Sequence, residues 1–237
     1  MSAPLTARAR VHAEVSHEIL TVARAHLARD GGVALSLRSI ARELGMAPSA
    51  LYRYYDGRDA LLSALIISAY AALADEGERA SQTAVDQSPS DIEHFAAVAR
   101  AMRSWALAHP HEWSLIFGTP VPGYQAPPDT VVHYARLASA LFQPVAAAFA
   151  ADRLVAEDLQ LDDQQLVGPL GDAVAPVAET LFRHMPTVLT VRGLQAWSTV
   201  IGLISLEIFG HWRDTVLDPP VLFEQTAGDV ARSLGLR

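Results

Sequence analysis

Cysteine is absent from all 237 residues. Its absence excludes a disulfide scaffold, a thiolate metal site and a cysteine nucleophile together. Lysine is missing as well, so every one of the 18 basic residues is arginine, and no mechanism follows from that alone. There is no run of alternating β-branched residues of the kind that marks strands. Neither a phosphate-binding glycine loop nor a nucleophile elbow occurs. His17-Glu18-Ile19-Leu20-Thr21 begins like a zincin motif, but Thr21 stands where the second histidine is required. His109, His111 and Glu112 flank Pro110 at a spacing that matches no standard metal site. We therefore expect no catalytic residue, no metal, no cofactor and no enzyme activity. Arg8, Arg10, Glu14, Glu18, Arg24 and Arg29 interrupt any apolar segment near the N-terminus, against a signal peptide. The most apolar stretch, Ala196 to Trp212, carries Glu207 and is short for a membrane span. These features lead us to expect a soluble, cytoplasmic protein with no membrane partner.

What is present points to a helical, folded chain. Apolar residues make up 51% of the sequence, which excludes disorder over most of its length. The net charge is −8, but it is unevenly spread. Residues 1–57 carry seven arginines against five acids, whereas residues 58–237 carry eleven arginines against 21 acids. The first quarter can approach a polyanion that the remainder repels.

Hydrophobic spacing predicts an all-α fold. Val11, Val15, Ile19, Val22, Ala23 and Leu27 lie on one face of a helix from about Ala9 to Asp30, ended by Gly31-Gly32. Ser36 is suited to cap a second helix, in which Leu37, Ile40, Ala41 and Leu44 form one stripe. Gly45 stops it, and Pro48 opens a third helix at a first-turn position. Asp56 is placed to cap a fourth helix running to about Gly77, with a polar loop expected over 81–90. Further helices are expected over 91–108, 111–117, 129–151, 166–184, 191–212 and 220–234. Loops are expected at Gly118–Pro128, Asp162-Asp163, Pro186 and Pro219-Pro220. The expected division is a three-helix unit over 9–57, a connecting helix over 58–77 and a larger helical domain over 78–237.

Two short amphipathic helices joined by a three-residue turn with glycine fit a helix-turn-helix. In that arrangement the first helix braces the second, whose N-terminal side chains face base edges in the major groove. Leu37, Ile40, Ala41, Leu44 and Leu51 would form the brace, leaving Ser49, Ala50, Arg53 and Tyr54 outward. Arginine and tyrosine on such a surface suit phosphate oxygens, guanine edges and thymine methyl groups. Periodicity by itself fits an ordinary αα-hairpin of a bundle equally well.

The residues Ser36-Leu37-Arg38-Ser39-Ile40-Ala41-Arg42-Glu43-Leu44-Gly45-Met46-Ala47-Pro48-Ser49-Ala50-Leu51-Tyr52-Arg53-Tyr54-Tyr55, followed by Arg58-Asp59-Ala60-Leu61-Leu62, add a second line. They closely resemble the TetR family of bacterial regulators, over roughly the first quarter of the chain. The resemblance implies that Arg38 touches a base or phosphate and that Pro48, Ser49 and Ala50 begin the reading helix. It further implies that Tyr52 meets the DNA backbone, that Tyr54 meets base or backbone, and that Arg58 binds phosphate where the family usually has lysine. Arg53 completes the expected DNA-binding set. Tyr55 replaces the usual phenylalanine and is expected in the core.

The resemblance also implies that the C-terminal helices dimerise and sense a small molecule. Ala196 to Gly210 is similar to a C-terminal subclass with a Trp-His-Gly-like signature, although Ile201 stands at its histidine position. That helix is apolar nearly all round, which suits burial against both its own domain and a two-fold partner. Trp105, Trp113, Phe117, Tyr134, Phe142 and Trp197 are the candidate walls of a ligand pocket. The expected function is a homodimeric regulator of a double-stranded DNA operator, most simply a repressor released by a small molecule. The acidic balance keeps a second reading open, that of a helical sensor or adaptor acting through protein contacts.

Overall fold

The computed structural model describes residues 6–32, 35–87, 90–127, 130–155 and 168–237. Every regular element among them is a helix. In chain order these are α1 (Ala7–Asp30), α2 (Leu37–Glu43), α3 (Pro48–Leu51), α4 (Arg58–Gln87) and α5 (Asp91–Ala108). Then follow α6 (Pro110–Phe117), α7 (Thr130–Ala150), α8 (Pro169–Leu181), α9 (Thr187–Ile208) and α10 (Pro219–Ser233). The expected turn at Asp162-Asp163 lies outside the described residues.

The chain forms two compact units. One comprises residues 1–69 with His111–Thr130, and the other comprises Tyr70–Pro110 with Val131–Arg237. The helix α4 runs through both. Within the first unit, Ile19, Ala23 and Leu27 of α1 are buried together with Leu37, Ile40, Leu51, Leu61, Leu62 and Leu65. Trp113 of α6 is fully buried there and lies 4.4 Å, centroid to centroid, from Phe117. Arg24 fastens this unit from within. Its Nε donates to Glu112 Oε1 at 2.8 Å and its Nη2 to Ser68 Oγ at 2.5 Å. Tyr124 extends the same unit through a 2.9 Å hydroxyl contact with Ser63.

In the second unit α10 packs chiefly on α5, while α9 packs on α8, α10 and α5. Phe95, Met102, Phe142, Phe182, Val200, Ile204 and Phe223 are buried in its core. Arg103 of α5 meets Glu207 of α9 in a two-pronged ion pair at 2.7 and 2.5 Å, with both side chains mostly buried. The main-chain oxygen of Arg237 accepts from the Asp91 and Ile92 amides, satisfying donors that every helix start leaves open.

Several element boundaries differ from the sequence reading. Helix α4 does not stop at Gly77 but continues through the polar stretch to Gln87. Gly77 is buried instead, facing Leu137, Ala140 and Val98. Beyond it, Ser81 lies inside the unit bonded to His94, so its polarity is spent on an inward partner rather than on a loop. Asp56 is not the cap of α4, because Gly57 supplies the carbonyl that accepts from Leu61. Ser36 occupies the N-cap position of α2, yet its side chain makes no capping bond. Helix α9 begins at Thr187, directly after extended Pro186, and closes at Ile208 with bonds from Gly210 to Glu207 and His211 to Leu206. It is thus displaced toward the N-terminus from the expected 191–212. By length and composition alone α4 and α9 are each long and apolar enough to cross a membrane, a test that buried core helices also pass, and 44% of each one's most apolar stretch is buried within the protein.

Candidate nucleic-acid interface

The first unit holds a helix-turn-helix built as its residues dictate. Helix α2 ends in a Schellman motif in which Gly45 N–H donates to Arg42 O at 3.2 Å and Met46 N–H to Ala41 O at 2.8 Å. Gly45 takes φ 63°, a left-handed conformation that glycine reaches without a Cβ penalty. The chain then turns sharply into extended Ala47 and into Pro48 at the first position of α3. Leu37, Ile40, Ala41 and Leu51 are buried as expected of the brace, while Leu44 is only half-buried. The regular part of α3 is four residues long, and tight turns carry the chain on to Tyr54.

This geometry sets out the predicted contact residues in two groups. Arg38, Pro48, Ser49, Tyr52 and Arg53 are exposed, Tyr52 by 49% despite its aromatic ring. Ala50, Tyr54 and Arg58 are half-buried. Tyr54 lies against His12 of α1 with ring centroids 4.7 Å apart. Arg58 turns its guanidinium toward the main chain after α1, with Nη2 donating to Gly32 O at 2.9 Å and Nη1 lying 3.5 Å from Asp59. Tyr55 is half-buried rather than core. Burial pushes its phenol up from the ordinary tyrosine range, opposed by a hydrogen bond with Ser16 and by the nearby Arg24 charge.

A groove of about 720 Å³ lies beside α3, lined by Ala7, Arg8, Val11, His12, Met46, Ala50, Arg53 and Tyr54. It brings the first turns of α1 to the reading helix. Arg8 and His12 were not singled out in the sequence, although with Val11 they fall at i, i+4 and i+3 on one helical face. Arg42 was missed in the same way, four residues after Arg38 on α2 and exposed like it.

Electrostatics distinguishes several arginines of the first unit from six of the second. Arg8, Arg10, Arg38, Arg42 and Arg53 form no ion pair among the described residues. In the second unit Arg79, Arg100, Arg103, Arg136, Arg153 and Arg232 are all matched with carboxylates. Unmatched guanidinium groups around an exposed short helix can meet phosphates without first breaking an internal pair. Within the first unit His26 contributes to the support. It is buried, lies 3.2 Å from Arg29 Nη2 through Nδ1, and through Nε2 lies 2.8 Å from Glu43 at the end of α2.

The predicted pocket residues do not all come together. Tyr134, Phe142 and Trp197 line one cavity among α7, α8 and α9. Trp105 is buried elsewhere in the second unit, stacked on His109 at 4.8 Å. Trp113 and Phe117 belong to the first unit. Aromatic content therefore marked the cavity only in part. Its remaining walls include the aromatic Phe182, which the sequence reading did not include, and Ala138, Thr180, Gly193 and Leu194, for which composition offers no signal.

Comparison with known proteins agrees with this geometry. Residues 19–65 match the family described as bacterial regulatory proteins, tetR family, and residues 95–230 match the tetracyclin repressor-like C-terminal domain. The HTH-type transcriptional regulators Rv1816 of Mycobacterium tuberculosis and Mb1846 of Mycobacterium bovis are each 38% identical over 213 residues, covering 89% of this chain and 88% of theirs. Among solved structures, the regulatory protein SCO4313 is 34% identical with a TM-score of 0.74, over 95% of this chain and 98% of that one. A protein of unknown function from Rhodococcus sp. RHA1 is 25% identical with a TM-score of 0.68, over 93% and 95%. With a helix-turn-helix in its first unit and a helical second unit, the chain belongs to the TetR family of DNA-binding transcriptional regulators.

Proposed function

We propose that this regulator is a homodimeric repressor that acts in the cytoplasm and leaves its operator when a small molecule occupies its second unit. The observation that carries the DNA-reading part is the exposed, ion-pair-free set Arg38, Arg42 and Arg53 around α3, with Arg8 across the groove. Ser49 and Tyr52 lie on the same exposed segment and supply base or sugar-phosphate contacts. Arg58 serves first as a brace for the turn after α1 and reaches phosphate only if its bond to Gly32 exchanges.

The dimer reading rests on the apolar surface of α9 and α10. Leu206 and Phe209 at the end of α9, and Val221 and Leu222 at the start of α10, are all exposed. On α9 they continue a stripe of small residues, Ser198, Gly202 and Ser205, and Gly202 faces open space. A two-fold partner placing the same face here would bury both sets. Two reading helices on one duplex then require half-sites about 34 Å apart or a multiple of it. Release follows if the ligand-bound dimer favours an arrangement that no longer meets that spacing.

Fluorescence anisotropy on the DNA flanking the gene that encodes the chain tests this reading. We expect specific binding that weakens steeply with salt. Tyr52→Ala should weaken it by about tenfold, or about 1.4 kcal/mol, with an unchanged melting temperature, because the side chain is exposed. Absence of sequence-specific binding at every salt concentration would falsify the DNA-reading assignment for this set of residues.

A further inference from the structure

We propose that the cavity among α7, α8 and α9 is a site for a compact, neutral molecule with a single aromatic ring. This deepens the ligand-responsive reading above and rests on it only for its effect on DNA binding.

The size of the space comes first. Its volume is about 190 Å³, and an apolar void of about 150 Å³ already accepts benzene. One ring with a small substituent fits, whereas a long acyl chain or a fused polycycle does not. The shape comes next. Tyr134 and Trp197 meet edge to face with centroids 5.1 Å apart, and Phe142 and Phe182 lie 5.1 Å apart at a tilt of 56°. Walls of this kind offer both ring faces and ring edges, the two surfaces an aromatic guest packs against.

Charge then narrows the class. Among the described residues, no aspartate, glutamate, arginine or histidine lines the cavity. An ionised guest would lose its hydration without gaining a counter-charge, which disfavours carboxylates and amines. The polar side chains in the wall are Tyr134, Thr180 and Trp197. Thr180 Oγ1 already donates to Pro176 O at 2.9 Å, so toward a guest it is an acceptor. Burial pushes the Tyr134 phenol up, and that of its neighbour Tyr70 up to about 12, so Tyr134 remains a protonated donor at neutral pH. Tyr134 as a donor and Thr180 as an acceptor suit a ring bearing a hydroxyl group.

Gly193 of α9 keeps this wall in place. A Cβ built there would lie 2.3 Å from Cζ of Phe182. The phenylalanine ring therefore occupies the space a side chain would need, and any larger residue must displace it from its position in the cavity wall.

The test uses the full chain and calorimetric titration with four probes: toluene, p-cresol, benzoate and decanoate. Toluene and p-cresol should bind, with p-cresol the tighter, and benzoate and decanoate should bind at least about tenfold more weakly. Gly193→Ala should weaken p-cresol binding at least about tenfold. Ala135→Leu, at a half-buried wall position, should do the same and serves if Gly193→Ala does not fold. Benzoate binding as tightly as p-cresol, no binding of either neutral ring, or p-cresol binding unchanged in the folded variants each overturns the site. Operator binding is measured alongside. Tight p-cresol binding that leaves the operator complex intact supports the site and overturns release by this class of ligand.

Discussion

At the residue scale, single side chains in this protein act according to how they are enclosed. His94 of α5 is buried, and its Nε2 lies 2.8 Å from Ser81 Oγ on α4. Burial pushes its imidazole below the ordinary histidine range, with nearby Asp91 acting in the opposite direction. The folded state therefore holds fewer protons at this position than the unfolded chain does. Its stabilising share is present above the unfolded value of about 6.5 and is lost as pH falls through the lower folded value. Thermal melts should show stability declining as pH falls from about 6.5 toward the lower folded value, and His94→Gln should flatten the decline. An equal slope in both proteins would place the pH response elsewhere. Residue-level legibility followed the same logic. Tyr52 was marked only by the family resemblance, whereas Arg53 and Tyr54 stood out because arginine and aromatic residues are unusual facing outward on a short helix. Arg8, His12 and Gly193 did not, because their importance comes from neighbours remote in the sequence.

Elements are held to one another by a few polar fasteners set in apolar packing. The Arg103–Glu207 pair ties α5 to α9, and Arg103 also lies 5.6 Å from the ring centroid of Phe223 on α10. Removing one partner strands the other in a mostly buried place. Arg103→Met should therefore cost about 3–5 kcal/mol in chemical denaturation, and adding Glu207→Leu should recover most of it. A double variant as unstable as the single one would mean that packing on Phe223, not the charge, is what matters. The order of helices and the turns at Gly45, Pro48 and Pro186 were legible because glycine and proline act locally on the backbone. The end of α4 was not legible. Its last turns are polar, and only the inward bond of Ser81 and the tertiary setting of Gly77 reveal why they stay helical.

For the whole molecule, the acidic total of −8 coexists with a basic reading surface because six arginines of the second unit are matched by that unit's own carboxylates. DNA affinity should then depend on few phosphate contacts, each contributing about 0.9 to the salt slope. Arg53→Ala, which removes one contact in each half-site of the proposed dimer, should lower that slope by about 2, whereas Arg136→Ala, removing an arginine held by Glu78 and Asp75, should leave it unchanged. In light scattering Phe209→Asp should shift the proposed dimer toward monomer, and operator affinity should fall with it. A variant that stays dimeric would exclude this face as the contact. The two-unit division carries a further lesson for exchange of parts between relatives. The reading head is encoded in two separate stretches, residues 1–69 and His111–Thr130, and Arg24 of the first depends on Glu112 of the second. Recombination that grafts a foreign sensor after α4 would keep the recognition helix but discard Trp113 and Glu112. A chimaera will retain its operator only when both stretches travel together, so such a head is inherited as a split cassette and not as a portable N-terminal module.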